Sequence, residues 1–160
     1  GIRKAKEAEL YIMDARTKKI EWHAAIFPGA HEYTDMCLGT NGLVYGLVGF
    51  AEWHPLVLKY GKRFFVFDPA ARRVIHEQDT EAEFGPVSYQ QGPRNLFAGP
   101  DGSIYILFLK GIARFDPASS KISLLAESPV PIVAGGEMLN GRIYFSSGSR
   151  LYSYSIPPGS

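Results

Sequence analysis

A few side chains in this sequence have the types and spacing to do chemistry. His31 and Glu32 are adjacent in "PGAHEYTD". An imidazole beside a carboxylate can exchange protons with a bound group or hydrogen-bond a sugar hydroxyl. Trp53 and His54 are adjacent in "FAEWHPLV", and Tyr89, Gln90, Gln91 and Arg94 follow in "VSYQQGPR". Aromatic rings with polar tips, amides and a guanidinium suit a protein or carbohydrate ligand. The sequence has no Cys/His metal spacing, no phosphate loop and no nucleophile elbow, so neither a metal nor a cofactor is expected. Cys37, within "DMCLG", is the single cysteine. It excludes an intramolecular disulfide and reads as a buried structural thiol rather than a nucleophile. His23 and His76 fall where outer strands are expected and read as structural.

The elements that must position these groups repeat. "LYIMDARTKKI" (10–20), "FFVFDPAARRV" (64–74) and "IARFDPASSKI" (112–122) share one grammar: an apolar run, Asp, a turn, then a basic and a β-branched residue. From Asp to the β-branched residue the spacing is six each time (20 − 14, 74 − 68, 122 − 116). An Asp carboxylate at a turn start accepts backbone N–H groups ahead of it, and Pro69 and Pro117 fix φ. A second phrase interleaves: "NGLVY" (41–45), "DGSIY" (101–105) and "NGRIY" (140–144). Asn-Gly and Asp-Gly between apolar runs are strong hairpin signals.

The order is therefore strand, NG or DG turn, strand, loop, strand, Asp turn, strand. Two full units of four strands are predicted at 34–78 and 94–127. Partial units flank them at 9–24 and 136–155, where Ser155 replaces the Asp and a fourth strand is missing. The count is thirteen strands (2 + 4 + 4 + 3) in a single all-β fragment of about three β-propeller blades. Under strict period two, Val44, Ile104 and Ile143 are predicted to be buried equivalents, as are Ile20, Val74 and Ile122. Helix-like composition is confined to residues 2–9.

The stretch "GPDGSIYILFLKGIARFDPASSKI" resembles the blades of the NHL-repeat, gluconolactonase-like and streptogramin-lyase-like propeller superfamily. Asp101, Gly102, Ile104, Tyr105, Phe115, Asp116, Pro117 and Lys121 match the blade pattern; Ser120 stands where those blades carry Gly. The resemblance implies a propeller fold and no particular reaction. A chain of this length then reads as the C-terminal half of a larger propeller or as a half-ring completed by a second copy. Self-association or a missing half is the expected partner.

Composition agrees with a globular chain that has one sizeable core. Seventeen Lys and Arg against sixteen Asp and Glu leave a formal charge of +1, too balanced to point to nucleic acid or an anionic membrane. No apolar run approaches the roughly 20 residues of a membrane span, and "GIRKAKEAEL" contains no signal-peptide core. The compartment is left open.

Loop lengths point to a site. From the Tyr of the second phrase to the turn position there are 11 residues in two units (116 − 105, 155 − 144) but 23 in the other (68 − 45). The extra residues, 50–61, and the long connection 77–93 are expected on one face, and "EAE" at 81–83 reads as solvated loop. His31, Glu32, Arg94 and Glu137 enter first strands near the axis of that face. The expected function is a non-catalytic scaffold or binding module for a protein or carbohydrate. The alternative is a propeller lyase or hydrolase acting on a small or saccharide substrate.

Overall fold

The computed structural model of the chain describes residues 7–54, 57–87 and 94–157, with the side chains of 51–61 outside that description. It is all-β apart from one short helix, and its strands form four blade-like antiparallel sheets in chain order. β1 (Leu10–Met13) and β2 (Ile20–Ala24) form the first. β3 (Ala30–Leu38), β4 (Val44–His54), β5 (Val57–Asp68) and β6 (Arg73–Asp79) form the second. β7 (Leu96–Ala98), β8 (Ile104–Phe108), β9 (Gly111–Asp116) and β10 (Lys121–Glu127) form the third. β11 (Ala134–Leu139), β12 (Arg142–Ser147) and β13 (Arg150–Ser155) form the fourth. The expected series of two, four, four and three strands is present.

Each turn phrase makes the hairpin its residues dictate. The Asp68 carboxylate accepts the N–H groups of Ala70 and Ala71 at 2.9 and 3.0 Å. Asp116 accepts the Ala118 N–H at 2.9 Å and the Ser119 hydroxyl at 2.7 Å, and Asp14 accepts the Thr17 N–H. Four residues after each Asp the backbone turns left-handed, with φ of 60° at Lys18, 55° at Arg72 and 54° at Ser120. All three NG or DG sites join a first strand to a second. Asn140 and Gly141 form a two-residue turn with φ of 50° and 69°, as a type I′ hairpin requires. At the other two sites five residues separate the strands and only the glycine has positive φ.

Strand alternation sends one set of side chains back to the preceding sheet and the other on to the following one. Three clusters result, each between consecutive sheets. Leu10, Phe27, Val48, Phe65 and Phe67 lie between the first and second. Tyr45, Leu47, Phe64, Ile104, Ile106 and Phe115 lie between the second and third. Tyr105, Leu107, Ile112, Ile143 and Phe145 lie between the third and fourth. Three interfaces in series distinguish this stack from a two-sheet sandwich.

Ile104, Ile143 and Ile122 are buried as expected. Val44 and Val74 are half-buried, and Ile20 is 56% exposed, against expectation. Ile20 keeps the predicted register opposite Met13, but its face points away from the second sheet and no described sheet covers it. Two further readings need correction. Residues 50–54 and 57–61 are strand rather than loop: β4 and β5 stay paired from Phe50↔Gly61 to His54↔Val57, so these residues prolong the pairing of the two strands. The "EAE" stretch opens a one-turn helix, α1 (Glu81–Phe84).

Candidate functional site

The first strands β3, β7 and β11 follow one another across three sheets, and several charged side chains lie on or beside them. β3 has bulges at His31 and Thr34, because its register with β4 slips between Ala30 and Glu32 and between Tyr33 and Asp35. In a regular strand Glu32 and Asp35, three apart, would point to opposite faces; the extra residue at Thr34 puts both on the face toward the third sheet. There Asp35 accepts the N–H groups of Asn95 and, at 3.0 Å, Leu96. One carboxylate thus ties two first strands that share no sheet. Burial pushes the Asp35 carboxyl above the usual range, while the N–H groups of Asn95, Leu96 and Met36 and the Arg94 charge pull it back.

Glu32, Gly49 and Lys62 lie in one row across β3, β4 and β5. Gly49 leaves room for its neighbours: a Cβ there would stand 3.0 Å from Glu32 Cγ. Lys62 is half-buried, and its backbone N–H donates to Glu81 of α1 at 3.4 Å. Burial lowers the Lys62 pKa, and the charges of Glu32, Asp35 and Glu81 act against that. On the other side of Asp35, Arg94 pairs with Glu137 of β11 at 3.0 Å, both side chains well exposed. At this junction the backbones almost touch, since a Cβ on Gly135 would lie 1.6 Å from the Arg94 carbonyl oxygen. The result is a polar strip, Glu81, Lys62, Glu32, Asp35, Arg94, Glu137, crossing three sheets. Below it a groove of about 800 Å³ follows the first strands to the NG and DG turns, past Met36, Cys37, Met138 and Asn140.

The structure brings Glu32, Arg94 and Glu137 of the predicted set into this strip. His31 is exposed at the first bulge. Trp53 and His54 lie in the extension of β4, with side chains outside the description, and Tyr89, Gln90 and Gln91 lie outside the described residues. Asp35, Lys62 and Glu81 were missed. The available signal was a charge interrupting an apolar run, as in "YTDMCL" and "GKRFFVF". His76 sits on an outer strand as read, but its ring packs half-buried against Phe64 and Phe115, with centroids at 6.2 and 5.4 Å. Cys37 is half-buried, and burial with the Asp35 charge pushes its thiol up to about 12, which makes it a poor nucleophile at neutral pH. Among the described residues no cluster of His, Cys, Asp or Glu has the arrangement of a metal site, and no helix is long and apolar enough to cross a membrane.

No family model and no curated protein matches the chain. Solved structures share its fold, a series of antiparallel β-sheets. One is the crystal structure of the extracellular domain of BT4673 from B. thetaiotaomicron, a candidate one-component system. The two superpose with a TM-score of 0.61 at 14% identity, over 88% of this chain and 18% of that one. The present chain thus spans less than a fifth of that neighbour's length, and the likeness is one of fold.

Proposed function

We propose that the chain is a non-catalytic binding module, an arc of β-propeller blades that holds a carbohydrate or protein ligand over the face of the 50–61 and 77–93 segments. The observation that carries this reading is the polar strip, where every cation has acids near it: Arg94 has Glu137, and Lys62 has Glu32, Asp35 and Glu81. Charged groups of both signs, four acids and two bases, offer many hydrogen-bond donors and acceptors in one strip, which suits hydroxyls and peptide groups. The turn phrases support placement in the NHL, gluconolactonase-like and streptogramin-lyase-like superfamily. Self-association or a ring-completing partner is supported by Tyr11, Met13 and Ile20, which are 54%, 53% and 56% exposed on the outward face of the first sheet.

The test is an array of oligosaccharides and peptides probed with the wild-type chain and with Arg94→Ala/Glu137→Ala. The reading expects a set of bound ligands that the double variant loses while keeping its circular-dichroism spectrum. Ligands retained by the double variant would contradict it. One observation favours the alternative, a lyase or hydrolase: burial lowers the Lys62 pKa and so favours the neutral amine, the form that can accept a proton. Cleavage of an array ligand that stops on Lys62→Met would establish the alternative instead.

A further inference from the structure

Leu124 is unusually bare for the face it occupies. In β10 it shares that face with Ile122, the two lying opposite Ala113 and Phe115 in register and looking toward the second sheet. Ile122 is 5% exposed there, whereas Leu124 is 48% exposed. The second and third sheets each have four strands, so the gap over Leu124 lies between two complete sheets. The register of β10 slips between Leu124 and Ala126, a bulge at Leu125, and bulges re-aim side chains beside sites. Between Leu124 and α1 there is a cleft where packed side chains would otherwise be.

The cleft holds about 500 Å³, inside the range of about 300–1,000 Å³ of small-molecule sites. Much of its lining is apolar: Phe84, Leu109, Leu124, Pro129 and Pro131. Phe84 is held by stacking on buried Phe108, with centroids at 5.2 Å. Hydrogen bonds tie the walls together. The Leu109 N–H donates to the Pro86 carbonyl, the Ile132 N–H to the Leu109 carbonyl and the Ser128 N–H to the Lys110 carbonyl, each at 2.8 Å. Three exposed charged residues, Glu83, Lys110 and Glu127, form the rim. Among the described residues none of the three has an ion-pair partner, and Glu83 accepts only the Gln78 amide at 3.4 Å. α1 separates the cleft from the polar strip: Glu81 meets the Lys62 N–H, while Glu83 and Phe84 line the cleft.

We propose that this cleft is a second binding site, which takes a free apolar α-amino acid. The charge pattern selects the ligand. A simple carboxylate would meet Lys110 but also two glutamates, and a simple amine would meet the glutamates but also Lys110. A zwitterion satisfies all three: its carboxylate pairs with Lys110, its ammonium with Glu83 and Glu127, and its side chain covers Phe84 and Leu124. The rim pairs are solvated and each contributes modestly, so apolar contact supplies most of the affinity and the charges supply the choice. The hydrogen-bonded walls stand before the ligand arrives, which keeps the ordering cost of binding low. The inference goes beyond the proposed function and uses no residue of the polar strip.

The probe is L-phenylalanine, titrated into the isotope-labelled 160-residue chain with amide shifts followed by NMR. Saturable shifts are expected at Phe84, Lys110, Leu124 and Glu127. Glycine, which lacks the side chain, should bind about tenfold more weakly. N-acetyl-L-phenylalanine has lost the ammonium and L-phenylalaninamide the carboxylate; each should bind about two- to fivefold more weakly. Lys110→Ala should erase the preference for phenylalanine over its amide, and Glu83→Gln/Glu127→Gln the preference over the acetylated form. Leu124→Asp should abolish binding with the spectrum otherwise intact. Arg94→Ala/Glu137→Ala should change none of this, so this site and the polar strip stand or fall separately. The proposal is overturned if no saturable shifts appear at millimolar phenylalanine, or if the shifts spare the cleft. It is also overturned if both blocked forms bind as tightly as phenylalanine, which would make the cleft an apolar groove blind to the zwitterion.

Discussion

Replacing Ser120 with Gly should stabilise the protein. Ser120 has φ of 54° in the turn opened by Asp116. A left-handed backbone costs an L-residue about 1–2 kcal/mol, because Cβ crowds the carbonyl oxygen. Glycine removes that cost but brings about 0.5–1 kcal/mol of extra unfolded-state freedom. At mid-range values the difference is a net stabilisation of about 0.75 kcal/mol. The Asp116 bonds to Ala118 and Ser119 do not involve the Ser120 side chain and should persist. Arg72, with φ of 55°, occupies the same position in the second sheet. The two turns are separate, so Ser120→Gly/Arg72→Gly should gain about 1–2 kcal/mol. Urea titration reads this as a higher midpoint at constant slope. On heating, each kcal/mol corresponds to about 2–4 °C for a chain of this size. Ser120→Ala, which keeps the Cβ, is the control and should stay within about 0.5 kcal/mol of wild type. If both single glycine variants match or fall below wild type, left-handed strain is not what these turns store.

Other substitutions probe the packing and the strip. Ile104→Ala, emptying a fully buried position between the second and third sheets, should cost about 2–5 kcal/mol by urea titration. Gly135→Ala should cost about 3 kcal/mol, because the new Cβ meets the Arg94 carbonyl and backbone cannot yield cheaply; a midpoint near wild type would mean the first strands are farther apart than described. The Cys37 thiol, pushed up to about 12, should react with an aromatic disulfide at pH 8 at least about 100-fold more slowly in the folded chain than in urea. For Asp35 the folded pKa is raised above the unfolded one, so its contribution is present below the unfolded value and lost as pH rises through the folded value. The wild type should therefore gain stability relative to Asp35→Asn as pH falls through the carboxylate range; a gap moving the other way contradicts the burial argument.

The blade units were legible because their signals are local and recur. Asp, a turn and a β-branched residue six positions on can be read without knowing what lies opposite, and the turns at Asp14, Asp68 and Asp116 formed as read. Ile20 kept its register yet is exposed, because burial depends on a neighbouring sheet that no local pattern encodes. Residues 50–61 looked like a loop by counting alone, whereas β4 and β5 stay paired through 50–54 and 57–61. The site was harder for a definite reason. Asp35 shares a face with Glu32 only because of the bulge at Thr34, which breaks the period on which sequence reading relies. Lys62 reaches the same row from two strands away, across the bare Gly49. Arg94 and Glu137 were visible as individual charges, but their ion pair bridges two sheets and is invisible to spacing.

The central claim is that ligand binds along the polar strip. Its most direct test is an amide NMR titration with the tightest-binding ligand from the array. The account predicts that the largest shifts fall at Glu32, Asp35, Lys62, Arg94 and Glu137 and vanish in Arg94→Ala/Glu137→Ala. Shifts confined to the Asn41, Asp101 and Asn140 turns, and unchanged in that variant, would contradict it and place binding at the opposite end of the first strands.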